Sequence, residues 1–312
     1  MKAVLPAAAR PLLAPHLPAD LEVAWFASPA EANAGIADAD IAWVDMQPTH
    51  LVAEAILAAG PQLKWVSTIY AGLDAFPLAE MRVRDVILTN GAGINAVAVA
   101  EYAVMGILAA AKRFDVVVRA QDRRSWLKDA PGKIELADTR ALVIGYGTIG
   151  RMIGDRLSAF GVAVTGVTRT GRDGTITPDA WRDRLDQFDW IILAAPSTSD
   201  TKTLIGGTEL AAMKPSAWLI NIARGDMIDD DALIAALEAG TIAGAFLDPT
   251  NPEPLPADHR LWSAPNTIVT MHLSGRSQTK MFARGAALFL SNLTAFRAGQ
   301  AMANVADLDA GY

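Results

Sequence analysis

Residues 142–150 read Leu-Val-Ile-Gly-Tyr-Gly-Thr-Ile-Gly. Gly145, Gly147 and Gly150 are spaced G-x-G-x-x-G, directly after an apolar strand and at the start of a helix. Taken alone this match is weak. Here a second apolar strand, Val162–Val167, follows at βαβ distance. Gly145 permits a tight turn, Gly147 lets the backbone approach a pyrophosphate, and Gly150 lets helix and strand pack closely. The helix then offers unpaired amides and the positive end of its dipole to an anion at Thr148 and Ile149. A bare glycine turn is the alternative reading.

On either side of this loop the chain alternates strands and helices. Before it, Ala3–Leu5, Val23–Phe26, Ile41–Val44, Leu63–Thr68 and Val86–Thr89 read as short apolar strands, and Thr49–Ala59 as a helix. Asn95 opens a long helix to about Arg119, followed by a charged connector from Arg119 to Glu135. A second series then runs Ala141–Ile144, Val162–Val167, Trp190–Ala194, Trp218–Asn221, Ala243–Leu247 and Thr267–Thr270. Helices are expected at Thr148–Phe160, Thr208–Met213, Asp229–Ala239 and Ser277–Ala298. Such alternation implies α/β architecture with two doubly wound parallel sheets. The middle of the chain, 95–282, reads as one domain inserted between the parts of another, 1–94 and 283–312.

Composition agrees. The 312 residues allow two domains at roughly 150 residues each. Apolar residues are 52% and charged residues 20%, enough for large cores and against general disorder. Lys plus Arg is 27 and Asp plus Glu is 34, so the net charge is 27 − 34 = −7. An acidic chain without a basic block is a poor nucleic-acid binder. The lack of cysteine excludes a disulfide scaffold, a thiolate zinc site and a cysteine nucleophile, and no metal is expected. The longest nearly apolar run, Ala96–Ala111, contains Glu101 and is too short to cross about 30 Å of hydrocarbon. Pro6, Arg10, Pro11 and Pro15 break up the N-terminal apolar stretch, which does not read as a signal peptide. The expectation is a cytoplasmic protein with no membrane partner.

The end of the second strand in the glycine-loop unit selects the cofactor. A carboxylate there would accept bonds from the ribose hydroxyl of NAD. Instead the residues are Thr168, Arg169 and Thr170, and the first acid is Asp173. An arginine between two hydroxyls suits a 2′-phosphate, so NADP(H) is favoured over NAD(H). One charge-assisted bond contributes about 1.5–3 kcal/mol, roughly ten- to a hundredfold in affinity. A solvated loop cation is the alternative for Arg169; Arg172 is a second candidate.

Of four histidines, His16, His50 and His259 lack chemical context. His272 ends a strand, where an open α/β sheet places its ligands. Position alone leaves a core histidine and a catalytic one equally open. Arg224 and Glu253 tilt the balance, because both also follow strands of the same sheet. An arginine fork holds a carboxylate or polarises a carbonyl. A carboxylate beside an imidazole raises its pKa and fixes its tautomer.

These features together resemble the D-isomer-specific 2-hydroxyacid dehydrogenases. The marks are Gly145–Gly150, Met213-Lys214-Pro215 with Ile220–Gly225, Leu247-Asp248 with Pro252–Pro256, and the strand end at His272. The resemblance implies a Rossmann cofactor domain inserted into a flavodoxin-like substrate domain. It makes Arg224 the substrate-binding arginine, Glu253 the helper acid and His272 the proton donor. Asp248 corresponds to the acid that contacts the nicotinamide amide. Ala195, Pro196, Thr201, Ile222, Ala223, His272, Ser274 and Gly275 join the cofactor set, and His272 also counts among the substrate-binding residues. Ala71-Gly72-Leu73 match the loop whose amides hold the substrate carboxylate. Asn90–Asn95 match the hinge before the long helix, in which Glu101 falls. Pro249-Thr250 and Met271 depart from the family pattern, which touches loop shape and substrate size. Glu253, not glutamine, argues against the formate dehydrogenase branch. The Thr168–Thr170 stretch resembles NADPH-dependent glyoxylate and hydroxypyruvate reductases.

The resulting expectation is reduction of a small 2-keto acid to the D-2-hydroxy acid by hydride transfer, with His272 donating the proton. The nicotinamide would lie in the cleft between domains. A non-catalytic dinucleotide sensor of the same fold is the rival, but it has no need of Arg224, Glu253 and His272 together. A short-chain dehydrogenase needs Tyr-x-x-x-Lys, which none of Tyr70, Tyr102, Tyr146 and Tyr312 provides. A methyltransferase with a similar loop would leave the three residues unexplained. Trp43, Trp65, Tyr70 and Phe76 read as core more than pocket. Trp126 in the charged connector points to an interface, and a homodimer is expected by analogy with relatives.

Overall fold

Strands joined through helical crossovers run parallel, and every pair of strands among the described residues does. The computed structural model describes residues 1–46 and 48–309; Gln47 and 310–312, where the expected first domain ends, lie outside the described residues. The chain divides into two units, Met1–Asn95 with Gln278–Tyr312, and Ala96–Ser277. The division falls after Ser277 and not at 282/283, for a local reason. Gln278 Nε2 donates to Asn95 Oδ1 at 2.7 Å, and Arg284 Nη1 donates to Gln278 Oε1 at 2.7 Å and to the Ile94 carbonyl at 3.1 Å.

The first unit holds β1 (Lys2–Pro6), β2 (Glu22–Phe26), β3 (Ile41–Ala42), β4 (Trp65–Ser67) and β5 (Ile87–Thr89). Their order is β2-β1-β3-β4-β5, the flavodoxin-like arrangement. Alternate residues feed opposite faces of a strand. Val4, Ala42, Val66 and Leu88 enter one core, and Ala3, Leu5, Ile41 and Trp65 the other. Trp65 stacks on Phe289 of the helix Met281–Arg297, with ring centroids 5.0 Å apart. Trp43 and Trp65 are both buried core residues.

The second unit holds β6 (Arg140–Ile144), β7 (Ala163–Val167), β8 (Trp190–Leu193), β9 (Trp218–Asn221), β10 (Gly244–Leu247) and β11 (Thr267–Val269). Their order is β11-β10-β9-β8-β6-β7. Beyond β7, Val167 makes one parallel bridge to Ile176. A doubly wound dinucleotide domain has a full third strand at that place; here it is a single residue pair. Leu142, Ile144, Ile191, Leu193, Leu219 and Leu247 face one core, and Val143, Trp190, Ile192, Trp218, Ile220 and Phe246 the other. Burial on both faces explains why these strands read as unbroken apolar runs.

The expected long helix to Arg119 is two helices, Ala96–Lys112 and Phe114–Asp122. Arg113 between them has φ +49. Gly132 packs on the break: a Cβ there would fall 2.3 Å from the Lys112 carbonyl carbon. The connector therefore wedges the helix end, a long-range contact that helical periodicity does not carry. The C-terminal helix begins at Met281 and not Ser277, after a single turn at Ser274–Arg276. Among the described residues no helix is long and apolar enough to cross a membrane.

Asp45, after β3, accepts bonds from Trp43 Nε1 (2.7 Å), Thr68 Oγ1 (2.6 Å) and the Ile69 amide (2.8 Å). Burial outweighs these bonds and pushes its carboxyl up to about 6. A raised acid pKa stabilises the fold below the unfolded value near 4, and that contribution is lost as pH rises through about 6. The unfolding free energy of the wild type minus that of Asp45→Asn is therefore expected to be larger at pH 4 than at pH 7. Urea titrations at the two pH values measure it; a difference that grows with pH contradicts the assignment.

Candidate active site

Three glycines open the helix Thr148–Ala159, and two are required by packing. Gly145 has φ +97, and a Cβ there would fall 2.3 Å from the Ala195 amide. A Cβ on Gly150 would meet the Gly145 carbonyl oxygen at 2.3 Å. Gly147 is different: no described atom beyond its chain neighbours and its own helix lies within 4 Å of such a Cβ. Space beside Gly147, next to the start of a helix without an acid in its first turn or a side-chain cap, fits a dinucleotide pyrophosphate. Thr148 and Ile149 are the first helical residues there.

The other expected cofactor residues line the same sheet edge. Thr168, Arg169 and Thr170 follow β7, and Arg169 is exposed. Thr168 has structural work: its Oγ1 lies 2.7 Å from Thr175 Oγ1 and accepts the Gly171 amide at 3.1 Å. Ala195 and Pro196 follow β8, where Thr201 Oγ1 donates to the Pro196 carbonyl at 2.7 Å and shapes that loop. Ile222 and Ala223 follow β9 and are buried.

Arg224 is positioned by Asn221, the fully buried last residue of β9. Asn221 Nδ2 donates to the Arg224 carbonyl at 2.7 Å and its Oδ1 accepts the Ala223 amide at 3.0 Å. Gly225 then lies so close to the next loop that a Cβ would fall 2.1 Å from the Thr250 carbonyl carbon. This approach joins the loop carrying Arg224 to the loop carrying Glu253.

The His272 turn is organised by Asp248, buried at the end of β10. Its Oδ1 accepts Thr270 Oγ1 (2.8 Å) and the amides of Leu273 (2.9 Å) and Ser274 (3.2 Å). The His272 amide donates to the Asp248 carbonyl at 2.7 Å. Met271 and His272 both have φ +54, a left-handed conformation that costs about 1–3 kcal/mol per non-glycine residue. The Asp248 bonds supply the compensation. Ser274 is buried and Gly275 follows it.

His272 Nδ1 lies 2.9 Å from Glu253 Oε2, and Glu253 Oε1 accepts the Thr250 amide at 3.0 Å. Burial raises the Glu253 carboxyl, but the His272 bond and charge, the Thr250 amide and the Arg224 charge outweigh it. The group stands below its ordinary value. It is a carboxylate at neutral pH and accepts only, so Nδ1 carries the hydrogen in this contact and Nε2 is left on the far side of the ring. The second unit thus brings together Arg224, Glu253 and His272. Ala71, Gly72 and Leu73 lie in the first unit, in the bend after β4, where Asp45 and the Tyr70 carbonyl, which accepts the Gly91 amide at 2.8 Å, fix the preceding residues.

Asn221, Thr270 and Gly225 escaped the sequence reading as supporting residues. A polar side chain ending an apolar strand was the available signal for the first two. Nothing local marks Gly225, whose role lies in a contact 25 residues away.

With this geometry in view, three comparisons define the class. The family model described as D-isomer specific 2-hydroxyacid dehydrogenase, NAD binding domain, matches residues 104–274. A glyoxylate/hydroxypyruvate reductase B of Pectobacterium atrosepticum is 31% identical over 82% of this chain and 86% of its own. A D-isomer specific 2-hydroxyacid dehydrogenase family protein of Aeromonas salmonicida has a crystal structure that superposes with TM-score 0.87 at 31% identity, covering 99% of both chains. An NADPH-dependent glyoxylate/hydroxypyruvate reductase of Sinorhizobium meliloti, solved with NADP and malonate, has TM-score 0.79 at 25% identity, covering 99% of this chain and 98% of its own. The chain belongs to the D-isomer-specific 2-hydroxyacid dehydrogenases. It is an oxidoreductase with a nicotinamide-dinucleotide domain, acting between 2-keto and 2-hydroxy acids.

Gly225→Ala is expected to push the Thr250 backbone away and separate Arg224 from Glu253. A displacement near 1 Å costs about a hundredfold in turnover. Steady-state kcat/KM measured beside Tm checks this; a lowered Tm with intact turnover contradicts it.

Proposed function

We propose that the chain uses NADPH to reduce a small 2-keto acid of the glyoxylate or hydroxypyruvate type to the D-2-hydroxy acid. The observation that carries this reading is the 2.9 Å contact between His272 Nδ1 and Glu253 Oε2, in a unit that also presents Arg224. The bound cofactor supplies the hydride to the keto carbon. Arg224 holds the substrate carboxylate through its guanidinium fork. His272 donates a proton from Nε2 to the developing alkoxide. Glu253 fixes the orientation of the ring through its contact with Nδ1. The substrate size is supported by the names of the relatives, and the cofactor by the exposed Arg169 where an acid would favour NAD.

The test is kinetic. Wild type should show higher kcat/KM with NADPH than NADH on glyoxylate or hydroxypyruvate. His272→Ala should lose about 10²–10⁴-fold in turnover while NADPH quenching of protein fluorescence stays near wild type. Unchanged turnover removes His272 from the reaction, and a preference for NADH removes the role of Arg169.

We further propose a homodimer. Trp126 is 94% exposed, and Phe114, Val117, Val118 and Leu127 of the same stretch are also exposed. Aromatic surface of this kind is enriched at interfaces. Sedimentation is expected to give twice the 33.0 kDa chain mass, falling toward one chain mass in Trp126→Ala.

A further inference from the structure

The segment after β7 is a closed turn. Thr168 and Thr175 meet through their hydroxyls, Thr175 Oγ1 donates to the Arg172 carbonyl at 2.6 Å, and the Thr168 amide donates to the Ile176 carbonyl at 3.0 Å. Gly171, Asp173 and Gly174 all have positive φ. The Thr168 hydroxyl is committed to holding this turn, so cations must carry most of the recognition of any phosphate placed there.

A second cation reaches this turn from the glycine loop. Arg151, in the first turn of the helix Thr148–Ala159, places Nη2 3.3 Å from Asp173 Oδ2. Its guanidinium carbon lies 5.6 Å from the centroid of the Tyr146 ring. That ring is itself seated tightly. A Cβ on Gly166 of β7 would fall 2.4 Å from Tyr146 Cγ, and one on Gly154 would fall 2.4 Å from its hydroxyl oxygen. Two glycines thus clear a notch for Tyr146, and the fixed ring supports Arg151. Asp173 is the sole acid between β7 and Ile176.

A dinucleotide with its pyrophosphate on the Thr148 helix start puts its adenosine ribose at the end of β7. Arg151 spans from that helix to the turn beyond β7. We propose that Arg151 is a specificity-determining residue that binds the 2′-phosphate of NADP alongside Arg169, and that Asp173 is the counter-charge it exchanges for the phosphate. This rests on the NADP reading above and adds residues to it. Asp173 then competes with the ligand for the Arg151 guanidinium.

The test uses the full chain and two nucleotides without nicotinamide, 2′,5′-ADP and 5′-AMP, by isothermal titration calorimetry. Wild type is expected to bind 2′,5′-ADP more tightly than 5′-AMP. Arg151→Gln should weaken 2′,5′-ADP by roughly ten- to a hundredfold, the worth of one charge-assisted bond, and leave 5′-AMP within twofold. Arg151→Lys should restore part of the loss, and Asp173→Asn should tighten 2′,5′-ADP alone. Equal wild-type affinities overturn the NADP reading and this role with it. Wild-type discrimination that persists in Arg151→Gln overturns the role of Arg151 alone. Equal weakening of both nucleotides also overturns it, because it marks a damaged helix start.

Discussion

The site depends on one buried carboxylate. Asp248 accepts three donors on a single oxygen, from Thr270, Leu273 and Ser274. Those bonds hold Met271 and His272 in a backbone conformation that side chains ordinarily avoid. Without them His272 would relax toward an ordinary loop geometry. Its ring would leave Glu253, and the charge arrangement with Arg224 would go with it. A buried polar group is costly unless well bonded, and here the turn that carries His272 supplies the bonds.

The same logic repeats along the sheet edge. Asn221 ends β9 and fixes the Arg224 turn, just as Asp248 ends β10 and fixes the His272 turn. Arg224 stands beyond β9 on a turn bonded to the residue that ends that strand, and His272 stands beyond β11 on a turn bonded to the residue that follows the neighbouring β10. Gly225 then locks one turn to the next by backbone approach. The precision comes from the strands, and the chemistry from the loops they support.

Much of this was legible in the residues alone. The glycine loop, the alternating apolar strands and the parallel architecture follow from local pattern, because strands buried on both faces read as short unbroken apolar runs punctuated by turn residues. Arg224, Glu253 and His272 stand out as candidates in the sequence because each follows a strand of the same sheet. The break at Arg113 was not legible: Gly132, which packs against it, is close in space and distant in sequence. Thr168 was read as a ligand residue, and the structure gives its hydroxyl a turn-closing bond that only folding reveals. The reduced third strand escaped notice for a similar reason. One bridge at Ile176 leaves no run of β-formers to detect.

That single bridge leaves the β7 side of the sheet almost bare. The eight residues from Thr168 to Thr175 are a surface insert whose ends are stitched together at Val167 and Ile176. On the reading proposed above, the choice between the phosphorylated and the plain dinucleotide rests on one short turn that no further strand buttresses.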